Sequence, residues 1–357
     1  MKRFNNLYES VISIENLQLA DEKARRGKLR SYGVRHHDKN RESNIQALHE
    51  ALKNKTFRTS PYTIFTVYEP KERIIYRLPY YPDRIVHHAV MNVLEPIWRN
   101  VFTSNTYSCI KDRGIEGCAR QVDRIIRRHQ KEDLYCLKID IKKYYPSIDH
   151  SVMKTIIRRK IKDPDLLWLL DEIIDSAEGL PIGNYISQYL ANLYLAYFMH
   201  WVNEDLPYIV QSKMDLDCKT YLQATEYADD IVFFATDKKT LHQVFTEIRL
   251  YIEGQLNLRI KGNWQIFLIA QNRADKKGRA LDYVGYRFYK KQKLLRKRIK
   301  KNLCKKVSRL GKRKRQPTAQ EMKREIAPWL GWCQHSNSRN LLRKILKPDY
   351  HESILRH

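Results

Sequence analysis

Apolar positions recur along this chain with two different periods. Between residues 62 and 78 the run YTIFTVYEPKERIIYRL alternates β-rich residues with polar ones on both sides of a charged stretch, residues 69–72, and predicts two strands joined by a turn. From residue 83 to 99 the period lengthens. Ile85, His88, Ala89, Asn92, Val93 and Pro96 fall on one side of a predicted helix. Residues 135–140 alternate again, with Tyr135, Leu137 and Ile139 on one face and Cys136, Lys138 and Asp140 on the other, so Asp140 closes a strand. Leu190, Leu193, Tyr197 and Trp201 mark a helical core stripe. The segment TEYADDIVFFATD, residues 225–237, sets Asp229 and Asp230 in a tight turn before a continuous apolar run. LDYVGYRFY, residues 281–289, reads as a further strand. The stretch after it, residues 290–315, has no acidic residue, and there Leu295, Ile299, Leu303 and Val307 recur every four positions. A helix of that pattern packs one stripe and leaves the rest cationic. The first 54 residues are polar and helix-like, and strongly basic between 19 and 40.

Charge narrows what such a chain does. Lys and Arg number 67 against 40 Asp and Glu, a formal net charge of +27. A charge of that size concentrates polyanions, and every neutralised phosphate releases a counterion, so nucleic acid is the expected partner. A membrane-surface protein would share the sign. It would also need a lipid-facing apolar helix, and the sequence has neither an apolar run of that length nor a signal-peptide pattern at its start. The six cysteines, Cys109, Cys118, Cys136, Cys218, Cys304 and Cys333, form no CxxC pair. They read as free thiols of a reducing cytoplasm. The doublets His36-His37 and His87-His88 lack zinc-ligand spacing. With 357 residues the chain is long enough for two or three subdomains, and it shows no internal repeat or low-complexity linker.

Antiparallel pairing of the strand ending at Asp140 with the one following Asp229 and Asp230 would bring three carboxylates together. Like charges a few ångströms apart drive protonation unless a cation lies between them. Magnesium meets that need, with manganese as a substitute. It takes oxygen ligands from one or two carboxylates plus substrate phosphates, and a pair of such ions can stabilise both oxygens of a phosphoryl displacement.

LKIDIKKYYPSID together with EYADDIVFF resembles the palm of reverse transcriptases, the second segment matching their YxDD signature and the first their leading metal-binding aspartate. The resemblance runs from about residue 16 to about residue 342. It implies an α+β right-hand polymerase: N-terminal extension and fingers over 1–133, a palm with antiparallel sheet and helices over 134–289 with a fingers insertion near 150–180, and a basic helical thumb over 290–357. It implies RNA-directed DNA polymerase activity, with Asp140, Asp229 and Asp230 catalytic and metal-binding and the carbonyl of Ile141 adding an oxygen. EPKERIIYRLPYYPDRIVHHAV is similar to the family's nucleotide-binding strand pair, which implies Lys71 and Arg73 on the dNTP triphosphate. A one-residue difference in spacing leaves Arg77 open as the alternative to Arg73. Tyr145 matches the aromatic under the sugar, where its ring excludes a ribose 2′-hydroxyl. LNLRIKGNWQIF implies Lys261 near the leaving pyrophosphate, and LDYVGYRFY is similar to the primer-gripping hairpin. In the thumb, Lys297, Arg298, Lys301 and Lys305 would follow the phosphates of the template RNA and the RNA/cDNA hybrid.

One motif departs from the common pattern. Where most such enzymes carry Gln-Gly, three residues and Ser-Pro, this chain has GLPIGNYISQYL, with Ile182 before Gly183 and Gln188 after Ser187. That form resembles the reverse transcriptases of diversity-generating retroelements, which copy a template RNA with errors at adenines. The resemblance places Ile182 and Gly183 at the nucleotide, where a glycine lets backbone approach a base pair closely. It also implies an oligomeric basic accessory variability protein as partner and a bacterial or phage-encoded enzyme of the cytoplasm. The chain ends soon after the basic helix, so no endonuclease or large maturation segment is expected. Retron, abortive-infection or group II intron-like enzymes are the alternative within the class. A nucleic-acid-binding scaffold without turnover is the alternative outside it.

Overall fold

The computed structural model describes residues 3–68, 72–214 and 222–355. Lys71 and Cys218 lie outside the described residues. The fold is α+β, and its registered strand pairs are antiparallel. The chain divides into two compact units, each assembled from separate stretches: residues 1–110, 140–206 and 246–262 form the first, and residues 111–139, 207–245 and 263–357 the second.

The first unit is mostly helical. Its sheet is the hairpin predicted from alternation, β1 (Thr63–Val67) paired with β2 (Arg73–Arg77), Thr63 opposite Arg77 and Val67 opposite Arg73. Both strands are largely exposed, so burial contributes little to holding them. A backbone bond supplies an anchor instead: Tyr76 N–H donates to Ile182 O at 2.8 Å. The helix Ile85–Arg99 forms as the apolar period requires, but its buried face is broader than the expected stripe. Val86, His87, Val90, Met91, Leu94 and Trp98 are buried together with Ile85 and Ala89, whereas Asn92 and Val93 are half-buried and Pro96 is exposed. The reason is that this helix packs against several others, among them Ile14–Ala24 and Tyr185–Glu204, so more than one side faces apolar neighbours. Tyr185–Glu204 corrects the stripe in the same way. Leu190 and Leu193 are buried as expected, but so are Tyr194, Leu195, Phe198 and Met199, while Tyr197 and Trp201 keep partial exposure. A helix apolar on most sides belongs inside a core.

In the second unit a four-stranded sheet has the order β4–β5–β3–β6. Here β3 is Tyr135–Asp140, β4 is Gln223–Tyr227, β5 is Asp230–Ala235 and β6 is Gln265–Leu268. The run after Asp230 is fully enclosed, Ile231, Val232, Phe233 and Phe234 each being 0% exposed, because β5 is an interior strand of the sheet. A three-stranded sheet follows, β7 (Leu281–Tyr283), β8 (Tyr286–Phe288) and β9 (Lys293–Leu295). Val284 and Gly285 join β7 to β8 with φ of 37° and 86°. Positive φ at both centres is the turn whose twist suits a two-residue hairpin. A side chain at 285 would also collide with the ring of Trp332. The basic helix spans Lys297–Gly311 and buries Leu303, Val307 and Leu310. Leu295, expected on its stripe, is the last residue of β9, where it pairs with Tyr286.

Candidate active site

Tyr227 pairs with Asp230, so Ala228 and Asp229 are the two central residues of the β4–β5 turn. Ala228 has φ +55°, a left-handed conformation that costs a residue with a Cβ roughly 1–2 kcal/mol. The Asp230 carboxylate accepts from Lys138 Nζ at 3.1 Å, and both side chains are about a quarter to a third exposed. Lys138 also donates to Asp282 O at 2.8 Å and lies 5.5 Å from the centre of the Tyr283 ring. Tyr283 is fully buried. Its hydroxyl donates to Asp230 O at 2.9 Å, with Thr225 O at 3.3 Å, so β7 braces the backbone of the Asp-Asp hairpin. Burial raises this phenol far above its ordinary range, and it stays a hydrogen-bond donor.

Asp140 is the last residue of β3, where the chain passes from the second unit to the first. Alternation along β3 gives it the same face as Lys138. Beyond the strand, residues 140–142 run beside 259–261: Lys261 N–H donates to Asp140 O at 2.9 Å, Ile141 bridges Ile260, and Lys142 N–H donates to Arg259 O at 2.8 Å. Through this pairing the Lys261 ammonium reaches the Asp140 carboxylate and forms an ion pair with it. Lys261, expected beside pyrophosphate, is therefore found on Asp140. Ile141 is buried.

Among the described residues no group of three or more carboxylate, thiol or imidazole side chains stands at metal-holding spacing. The donor chemistry of these side chains still suits a hard cation. Asp140 and Asp230 each draw a lysine ammonium, and the side-chain donors offered by Asp140, Asp229 and Asp230 are all oxygen, which is what magnesium takes.

Four of the nucleotide-site candidates, Arg73, Tyr145, Ile182 and Gly183, lie on linked segments inside the first unit. Leu180 N–H donates to Tyr145 O at 2.8 Å, and two residues on, Ile182 O receives Tyr76 N–H. The loop 179–183 thus ties Tyr145 to β2, the strand that carries Arg73 and Arg77. Gly183 has φ +121°, and a Cβ there would stand 2.7 Å from Tyr76 O and 3.2 Å from Ile75 Cγ2. A side chain at 183 would therefore meet the backbone of β2. Arg73 and Arg77, four residues apart on one face of β2, are both exposed. In the second unit Lys297, Arg298, Lys301 and Lys305 are all exposed on their helix.

Sequence reasoning gave no role to Lys138 or Tyr283. Period-two alternation with Asp140 was the signal for Lys138. Nothing local marks Tyr283, whose partners lie more than fifty residues away.

Comparison with known proteins bears on the same segments. Escherichia coli (strain K12) Protein YkfC is 25% identical over 228 residues, covering 54% of this chain and 60% of YkfC. The group II intron-encoded protein LtrA of Lactococcus lactis subsp. cremoris is 24% identical over 189 residues, covering 49% of this chain and 30% of LtrA. The chain thus spans less than two thirds of YkfC and about a third of LtrA. Among solved structures, telomerase from Candida albicans in complex with a fragment of telomeric RNA has a TM-score of 0.47 and 11% identity over 85% of this chain and 56% of that one. No helix of the described residues is long and apolar enough to cross a membrane. The family profile for reverse transcriptase (RNA-dependent DNA polymerase) matches residues 69–288, more than half of the chain and all of β2 through β8, and the chain belongs to that family.

Proposed function

We propose that this chain is an RNA-directed DNA polymerase that adds deoxynucleotides to a primer 3′-hydroxyl on an RNA template. One observation carries the reading. The matched segment contains β3 ending on Asp140 and β5 beginning on Asp230, and these strands are neighbours in one sheet. Asp140, Asp229 and Asp230, with the carbonyl of Ile141, are the groups that would hold magnesium. When bound, such ions neutralise charge on the attacking and leaving oxygens of phosphoryl transfer. Lys138 forms an ion pair with Asp230, and Lys261 one with Asp140. Arg73, with Lys71, neutralises the dNTP triphosphate. Ile182 and Gly183 fix β2 relative to the loop that carries them, and Tyr145 excludes the ribose 2′-hydroxyl. The exposed cations of the basic helix follow the RNA/cDNA hybrid by its phosphates.

The finer reading is mutagenic copying for a diversity-generating retroelement, supported by Ile182 and Gln188, with an oligomeric basic accessory protein as partner. A second reading, a group II intron-like enzyme, is favoured by the similarity to LtrA. The test of the common activity is extension of a primer annealed to RNA, with dNTPs and magnesium. Wild type should extend the primer and Asp229→Asn should not, while both bind the hybrid. A folded wild-type protein that binds hybrid without incorporating dNTPs would overturn the polymerase reading.

A further inference from the structure

The first unit contains a cavity of about 720 Å³ that the polymerisation chemistry leaves largely unused. Lys28, Arg77 and Arg84 line it, and no Asp or Glu is among its described lining residues. Two acids of the adjoining helices are committed to other cations: Asp21 pairs with Arg25 at 2.7 Å and Arg41 at 2.6 Å, and Asp38 with Arg25 at 2.8 Å. Burial, and then Arg84, hold the Lys28 ammonium below its ordinary range; burial, and then Arg77, do the same to the Arg84 guanidinium. Cations held together in this way repel one another, and a polyanion relieves the repulsion.

An aromatic face completes the cavity. Tyr32 is 78% exposed and stacks on His36, with ring centroids 5.7 Å apart and planes 14° from parallel. The helix Tyr32–Asp38 can approach the cavity floor because residue 33 lacks a side chain, since a Cβ there would stand 2.8 Å from Cβ of Tyr80. An exposed ring offers a surface on which any base can stack, and cations beside it track a backbone. That pairing recognises single-stranded nucleic acid.

We propose that this cavity binds single-stranded RNA, with Lys28 and Arg84 neutralising phosphates and Tyr32 stacking a base. The proposal rests on the polymerase reading only in taking the strand to be template. A free nucleoside triphosphate presents the same phosphates and base, and the experiment separates the two sources.

Binding of a labelled single-stranded RNA to the full chain is followed by fluorescence anisotropy across a salt series. Tyr32→Ala should weaken binding about tenfold, and Tyr32→Phe, which keeps the ring face, should not. The double variant Lys28→Gln/Arg84→Gln should flatten the slope of log affinity against log salt by about 1.4, and Lys28→Gln alone by about 0.7. The single variant keeps the test open if the half-buried Arg84 proves necessary for folding. Unchanged affinity and slope in variants with wild-type circular dichroism would overturn the proposal. Displacement of the RNA by free ATP far more readily than by unlabelled RNA of equal phosphate concentration would overturn the strand and leave a nucleotide site. The measurement needs no turnover and is repeated in an Asp229→Asn background. A wild type unable to incorporate dNTPs would therefore sink the polymerase reading and leave this comparison intact.

Discussion

Asp229 stands in a turn whose other central residue, Ala228, holds φ +55° against its own side chain. Strain of this kind persists where the surroundings over-determine it, here the β4–β5 pairing on one side and Tyr283 on the other. Asp229→Asn keeps the shape and removes one charge, so primer extension should fall by orders of magnitude while hybrid affinity changes less than about twofold, read by extension and anisotropy on the same preparation. Asp140→Asn should behave alike, and Asp230→Asn should lose less. Near-normal extension by a folded Asp229→Asn would remove this residue from the chemistry. Gly183 gives a second residue-level test. Alanine at φ +121° with its Cβ 2.7 Å from Tyr76 O must push β2 away or strain the loop, at about 1–3 kcal/mol. Urea unfolding of Gly183→Ala should show that loss, and the KM for dNTP should rise because β2 carries Arg73; an unchanged KM in the folded variant would separate the loop from the nucleotide. The positions of Asp140 and Asp230 at strand ends were legible because a two-residue period and an apolar run are local signals. The lysines on them were not, since Lys138 and Asp230 are 92 residues apart and Lys261 and Asp140 are 121 apart.

At the scale of elements, sequence period located the hairpin of β1 and β2, β3, and the basic helix. It misjudged faces where a helix has neighbours on several sides, as Ile85–Arg99 and Tyr185–Glu204 do. Leu295 shows the complementary failure: a four-residue recurrence runs on into β9, and only pairing with β8 reveals that the helix has not yet begun. The basic helix itself keeps Leu303, Val307 and Leu310 inward, so its cationic side can be altered without touching the packing. Replacing Lys297, Arg298, Lys301 and Lys305 together by Gln should weaken hybrid binding and reduce the salt slope by about 0.7 to 0.9 for each phosphate that is no longer neutralised. A slope that stays at the wild-type value would mean that this face meets something other than nucleic acid. The accessory protein implied by the sequence resemblance would then be the surface to test.

For the whole molecule, a formal net charge of +27 separates holding nucleic acid from acting on it. Chelating divalent cations should abolish primer extension and leave hybrid affinity within about twofold, because on the proposed reading lysine and arginine neutralise the phosphates; loss of both together would mean that metal also organises the binding surface. Fidelity is likewise larger than one residue. The carbonyl of Ile182 is engaged by Tyr76 N–H, so Ile182→Gln changes a side chain and leaves the docking of β2 in place. A glutamine can offer a hydrogen bond where isoleucine offers apolar contact, and a bond made only with the correct pair is worth about 0.5 to 1.5 kcal/mol, roughly two- to tenfold in discrimination. Heavy mutagenesis exceeds that range, so any excess must come from the rest of the enzyme or its partner. Deep sequencing of cDNA from wild type and Ile182→Gln on one RNA template divides the two contributions. The diversity-generating reading expects wild-type errors concentrated opposite template adenines, lowered by no more than about tenfold in the variant. Uniformly low error in wild type would favour the group II intron-like reading and leave the polymerase assignment standing.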